Sequence, residues 1–211
     1  MRRRALGLLA LAALAGCGSA ETHELPPAAG PANAPKLSAK PAGRTVPPTK
    51  VPPSLALDIP PTRATVAGRP AILDPRARTL TLGRERVAAG VGPTHVLAVA
   101  HRLYVTDTQG GALLVFATRP KLALTRRVFL PGGPYAIALD ATRHRLWVTL
   151  TARNEVVSLP ANGRPRPLVR LPTVRQPDGI AVSSSTVAVA GRGPNVVQLI
   201  GAREAYAEDG G

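Results

Sequence analysis

Between residues 92 and 200 the chain alternates short apolar runs with glycine, proline, asparagine or aspartate, and no run sustains the 3.6-residue period of a helix. Runs of four to six residues rich in Val, Leu and Ile, punctuated in this way, predict β-strands. The runs also recur. Gly92-Pro93-Thr94-His95-Val96-Leu97-Ala98-Val99 returns as Gly133-Pro134-Tyr135-Ala136-Ile137-Ala138-Leu139-Asp140, and again as Pro177-Asp178-Gly179-Ile180-Ala181-Val182. Second runs follow at Arg102 to Asp107, Arg145 to Thr149 and Thr186 to Ala190, and third runs at Gly111 to Phe116, Asn154 to Leu159 and Asn195 to Ile200. A fourth closes two of the units, at Arg126 to Pro131 and Pro167 to Pro172.

Pro93, Pro134 and Pro177 lie 41 and 43 residues apart, and Leu103, Leu146 and Val187 lie 43 and 41 apart. Four strands in about 40 residues, repeated, is the pattern of propeller blades. The Arg102-Leu103-Tyr104-Val105-Thr106-Asp107 and Arg145-Leu146-Trp147-Val148-Thr149 stretches carry a resemblance. So do the Asn-led third strands and the segment Gln176 to Val182. Together they resemble the YVTN and NHL types of β-propeller repeat. The resemblance implies an extracytoplasmic fold. It also implies either a lactonase or antibiotic lyase acting at an axial funnel, or a module that binds partners or surface polymers.

The repeat region is short for that family. A seven-bladed ring needs nearly 290 residues at this period, and residues 54–203 supply about half. Thr62 to Ala89 reads as a weaker unit, with strands near Arg63 to Ala67, Ala71 to Leu73 and Thr79 to Val87. The last unit lacks its fourth strand, and Leu55-Ala56-Leu57-Asp58-Ile59-Pro60 resembles the fourth strands ending at Pro131 and Pro172. The expectation is therefore an all-β, small or partial propeller of about four blades over 54–203, closed by the segment around Leu57. If the ring stays open, pairing of two copies into a homodimer is the alternative. Residues 204–211 read as a flexible tail.

The region upstream is different. Nine prolines between Pro26 and Pro53, with hardly any bulky apolar residue, predict a disordered, extended tether over 17–53. Before it, Arg2, Arg3 and Arg4 precede an apolar run from Ala5 to Ala15, the order of a secretory leader. The run is shorter than the roughly 20 residues a membrane span needs. Leu14-Ala15-Gly16-Cys17 resembles the lipobox of bacterial lipoproteins. That resemblance makes residues 1–16 a signal peptide and Cys17 the lipidated residue. It places the protein on the extracytoplasmic side of a bacterial cell membrane, held there by its lipid anchor. Cys17 is the one cysteine, so no internal disulfide can form.

Charge narrows the partners. The formal balance is +15, and +15 less the three leader arginines leaves about +12, spread along the chain. A basic exported protein is drawn to anionic head groups and acidic envelope polymers. Nucleic acid is excluded as a partner, because the chain is exported and aromatic residues for base stacking make up only 3%. No catalytic constellation stands out, and no cofactor, phosphate loop, nucleophile elbow or paired-histidine metal motif is present. His101 and His144 fall before second strands, as hairpin-loop residues. His95, Asp140 and Asp178 are the candidates for a ligand-binding funnel, with Asp107, Asn154 and Asn195 as further axial carboxylates and amides. The functional expectation is a membrane-tethered module that binds a protein, peptide or cell-envelope polymer. A lactonase- or lyase-like enzyme is the alternative.

Overall fold

A computed structural model of the chain describes residues 28–55, 57, 62–183, 186–192 and 195–207; Cys17 and His23 lie outside them. Its strands follow the rhythm of the sequence. They are β1 (Arg44–Val46), β2 (Arg63–Val66), β3 (Arg69–Asp74), β4 (Thr79–Leu82), β5 (Glu85–Ala88), β6 (Pro93–Val99), β7 (Arg102–Asp107) and β8 (Ala112–Ala117). They continue as β9 (Ala123–Phe129), β10 (Pro134–Asp140), β11 (Arg145–Leu150), β12 (Glu155–Pro160), β13 (Arg170–Pro172), β14 (Pro177–Ser183), β15 (Thr186–Gly191) and β16 (Val197–Gly201), before a one-turn helix α1 (Ala202–Ala205). Four antiparallel four-stranded sheets result, in the orders β2-β3-β4-β5, β6-β7-β8-β9, β10-β11-β12-β13 and β14-β15-β16-β1. The fold is all-β, a partial β-propeller of four blades. Among the described residues no helix is long and apolar enough to cross a membrane.

The sheets hide their apolar sides on one another. One core joins the first sheet to the second through Leu73, Leu80, Leu82, Val105, Leu114 and Phe116. A second joins the second sheet to the third through Tyr104, Leu113, Val115, Ile137, Val148 and Val157. A third joins the third sheet to the fourth through Trp147, Val156, Val187, Val189 and Ile200. Strand β8, apolar at every position, is buried on both faces because its sheet has a neighbour on each side. Strand β4 alternates buried and half-buried, because its sheet has one neighbour.

The closing strand of the fourth sheet is β1, which pairs antiparallel with β16 in the register Arg44↔Leu199, Thr45↔Gln198 and Val46↔Val197. The segment around Leu57 does not supply it. Leu57, with Val51 and Leu55, packs instead against Val46, Ala188, Val197 and Leu199, covering the outer face of the fourth sheet. The propeller thus recruits chain upstream of residue 54. Inner strands pack in the order β2, β6, β10, β14. Among the described residues β2 does not pack on β14 as these neighbours do, so the described strands form an open arc.

Gly43 makes the turn into β1 possible. Its φ is +67°, and a Cβ there would lie 2.2 Å from the carbonyl oxygen of Leu199, on the backbone β1 must join. Both the left-handed conformation and the clash penalise a side chain. Gly43→Ala is expected to lower the free energy of unfolding by about 1–3 kcal/mol in denaturant titration; an unchanged midpoint would show that β1 does not hold the fourth sheet closed.

Candidate functional site

The inner strands begin at equivalent prolines, and just after each one the ladder slips: between Pro93 and His95, Pro134 and Ile137, and Pro177 and Gly179. A bulge turns side chains away from the regular pleat. Thr94, Tyr135 and Asp178 occupy this slipped position in the second, third and fourth sheets. They form the axial row of one end of the arc.

Three threonines tie the row together. Thr94 Oγ1 lies 2.9 Å from both Thr106 Oγ1 and Thr108 Oγ1. Thr106 donates to the carbonyl of Tyr135 at 2.7 Å, and Thr108 to that of Pro134 at 2.7 Å. His95 is 4% exposed. Its Nδ1 donates to the Tyr135 carbonyl, and its ring meets the Tyr135 ring edge-on with centroids 4.6 Å apart. Burial pulls the imidazole down from 6.5 to about 4, against the opposing pull of the Tyr135 carbonyl. His95 is therefore neutral near pH 7, with its Nδ1 proton committed to backbone.

Tyr135 is half-buried, and its phenol is pushed up by burial first and by the Asp178 charge second. Burial also raises the carboxyl of Asp178, while Arg192, whose Nε lies 3.4 Å from Asp178 Oδ2, draws it down. His95, Tyr135, Asp178 and Arg192 thus run in sequence along one end of the arc.

Asp140 is not part of that row. It ends β10, five residues beyond Tyr135, or about 17 Å of extended strand. It is 2% exposed and accepts from Tyr206 Oη, Arg143 N and Arg143 Nη1. Burial pushes its carboxyl up, but these three donors more than offset it and hold it below the usual range. The same arrangement, with burial leading, pushes the Tyr206 phenol up to about 12. Asp140 pins α1 to the third sheet. His101 and His144 both sit in β-hairpin turns, as their spacing predicts, and His144 has φ +52°.

Asp107 is structural as well. Its Oδ1 accepts from Val91 N, Gly92 N and Gly110 N at 2.8–3.1 Å, folding the loop before β6 onto the turn after β7. A Cβ on Gly110 would stand 1.9 Å from Asp107 Oδ2, so that turn requires glycine. Asn154 turns its amide to other use: Oδ1 accepts from Gln176 N, and Nδ2 donates to the carbonyl of Pro35. With this bond the proline-rich chain reaches the axial end. Ala32 N donates to Thr151 Oγ1 at 3.0 Å, Gln176 Nε2 donates to the Ala32 carbonyl at 3.0 Å, and Gln198 Nε2 donates to that of Ala42 at 2.7 Å. Residues 31–42 form a strap from the axial end to the gap between the third and fourth sheets.

The structure thus brings His95 and Asp178 into one row and leaves Asp140 at the opposite end of the sheets. Tyr135 and Arg192 join the row without belonging to the set His95, Asp140 and Asp178 that the sequence suggests. Tyr135 was legible as the counterpart of Asp178 after the repeated proline; Arg192 had no comparable signal. Among the described residues no group of three His, Cys, Asp or Glu could hold a metal ion.

No family model matches the chain, and no curated protein matches it. Solved structures do match. A proposed 6-phosphogluconolactonase from Bacteroides fragilis is 18% identical over 69% of this chain and 49% of its own, with a TM-score of 0.54. One from Bacteroides uniformis is 18% identical over 69% and 46%, with a TM-score of 0.51. Virginiamycin B lyase from Staphylococcus aureus is 13% identical over 71% and 56%, with a TM-score of 0.54. These are β-propellers, and the likeness is one of fold. This chain spans about half the length of each, as an arc of four blades would.

His95 gives a testable consequence. A folded-state value below the unfolded one means that the unfolded chain binds the proton more readily as pH falls. The stability from burying neutral His95 is present above about pH 6.5 and is lost between there and about pH 4, on the order of 3 kcal/mol at most. His95→Gln should flatten the fall in unfolding free energy between pH 7 and pH 4.5; an equally steep fall in the variant would refute the assignment.

Proposed function

We propose that this chain is a lipoprotein tethered through Cys17 to the outer side of a bacterial cell membrane, where its propeller arc serves as a binding module. The observation that carries the binding reading is that the polar groups of the axial row are already engaged. His95 is neutral and bonded to the Tyr135 carbonyl. Asp178 is paired with Arg192. General acid–base catalysis needs a group free to move a proton at the substrate, whereas here the Nδ1 proton of His95 is committed to backbone and Asp178 is held by Arg192. It offers an aromatic flanked by an ion pair, which suits recognition of a protein, a peptide or an envelope polymer.

The alternative is an enzyme at the same row, in line with the lactonase and lyase names of proteins sharing the fold. Turnover of a phosphorylated sugar lactone or of a streptogramin B antibiotic separates the two. The expected result is no rate above the uncatalysed reaction. Turnover that disappears in Tyr135→Phe or His95→Gln would replace the binding reading with the enzyme.

The lipid anchor has its own test. Cys17→Ala should move the protein from the membrane fraction to the soluble fraction and abolish incorporation of labelled palmitate; unchanged fractionation would remove the anchor.

The open arc bears on self-association. By register, the free face of the first sheet sets Arg63, Ile72, Thr81 and Arg86 in one row. Two such faces would bring arginines together, which opposes face-to-face pairing. The outer face of the fourth sheet is already covered by Leu55 and Leu57. We infer a monomer, and a solution mass of twice the chain's would restore the homodimer.

A further inference from the structure

Between the second and third sheets, at the end opposite the axial row, the packing opens into a cleft. The register sets the sequence Leu97, Tyr104, Val115, Arg126 in one row across the second sheet and Val99, Arg102, Ala117, Ala123 in the next. Tyr104 and Val115 face the third sheet. Side chains two apart on a strand share a face, so Arg102 and Arg126 face the third sheet too. Opposite them lies the loop after β12, held in place where Tyr104 Oη donates to the carbonyl of Ala161 at 2.6 Å.

Ala117 and Gly163 are too small to fill the space between. A cavity of about 230 Å³ remains, with Arg102, Arg126, Val115, Thr125 and Pro165 on its walls. It adjoins a second of about 430 Å³, which shares Arg102, Ala117 and Gly163 and includes His101. Arg164 and Arg166 stand exposed on either side of Pro165. No carboxylate lines either cavity. Elsewhere among the described residues arginines meet acids, as Arg69 meets Glu85, Arg170 meets Glu155 and Arg192 meets Asp178. Among the described residues Arg102 reaches only the carbonyl of Gly163, at 3.3 Å, and Arg126 has no acidic partner.

We propose that this cleft is an anion site that takes a phosphate group through the guanidinium groups of Arg102 and Arg126, with Arg164 and Arg166 guiding its approach. A planar guanidinium presents paired donors that match the oxygens of a phosphate. The apolar floor of Val115, Ala117 and Pro165 limits the water that would otherwise screen the contact. The site lies on a different face from the axial row and does not depend on it, so it extends the binding-module reading.

The test uses the full chain, titrated with a short linear polyphosphate and with inorganic phosphate. Arg102→Gln/Arg126→Gln should weaken polyphosphate binding at least tenfold at low salt while leaving the thermal midpoint unchanged. Arg102→Lys/Arg126→Lys should lie between that variant and wild type. The control is Arg76→Gln/Arg84→Gln, which removes the same charge from exposed positions on the first sheet and should weaken binding less than threefold. Tyr135→Ala should leave binding intact, so the outcome is independent of the axial reading.

Vesicles containing phosphatidylglycerol, compared with phosphatidylcholine alone, separate the sources. Arginine dependence on the vesicles only assigns a lipid head group, and dependence in solution assigns a soluble phosphate or phosphodiester polymer. No binding to polyphosphate, inorganic phosphate or the phosphatidylglycerol vesicles, or an equal loss in the control pair, overturns the site.

Discussion

Every sheet of this protein hides its apolar side by lying on another sheet, and the rest of the architecture follows from that dependence. A single four-stranded sheet with Leu80 and Leu82 on one face would present that face to water; stacked, those residues are fully buried against Val105 and Leu114. Each buried leucine contributes roughly 1.5–3 kcal/mol relative to exposure, so the stack is stable only as a unit. A stack that does not close on itself has two ends, and each must be made compatible with water. At the first sheet the outward row is arginine and threonine around Ile72. At the fourth sheet the outward face stays apolar, and Val51, Leu55 and Leu57 of the incoming chain cover it.

The strands inside the stack were largely legible because burial imposes a repeating pattern on sequence. Strand β8, covered on both sides, reads as an unbroken apolar run, and the prolines that open β6, β10 and β14 mark the same step in three blades. The closing strand was not legible. Only Val46 of β1 is buried, three residues carry no period, and prolines surround it. Its place is set by pairing with β16 more than 150 residues away. The segment around Leu57 has the apolar residues of a closing fourth strand, but a face and an edge both call for such residues, and composition alone does not distinguish them.

The same distinction explains the site. A repeat predicts equivalence, and Thr94, Tyr135 and Asp178 are equivalent in sequence and in space. Asp140 ends its strand in a turn, where aspartate serves the backbone; here it accepts from Arg143 and Tyr206 and fastens the C-terminal turn of helix. Asp107 is also spent on the backbone, and Asn154 on the strap. Carboxylates and amides at strand ends are therefore poor guides to a funnel in this fold unless the repeat aligns them. Tyr135, which carries no charge, is the better marker because it sits at the repeated step.

The strap links the two themes. Residues 31–42 reach the fourth sheet by way of the axial end, where Thr151, Asn154 and Gln176 hold Ala32 and Pro35. The chain that closes the fourth sheet therefore approaches past Tyr135 and Asp178, while the arginine cleft opens at the far end of the sheets. If the lipid on Cys17 holds the N-terminal side of the strap, tension on that side is borne first by the hydrogen bonds at the axial end, before it reaches β1. The axial row and the strap are mechanically in series, whereas the cleft lies outside that path. A pull on the strap therefore loads the axial end before it reaches β1 and leaves the arginine cleft unloaded.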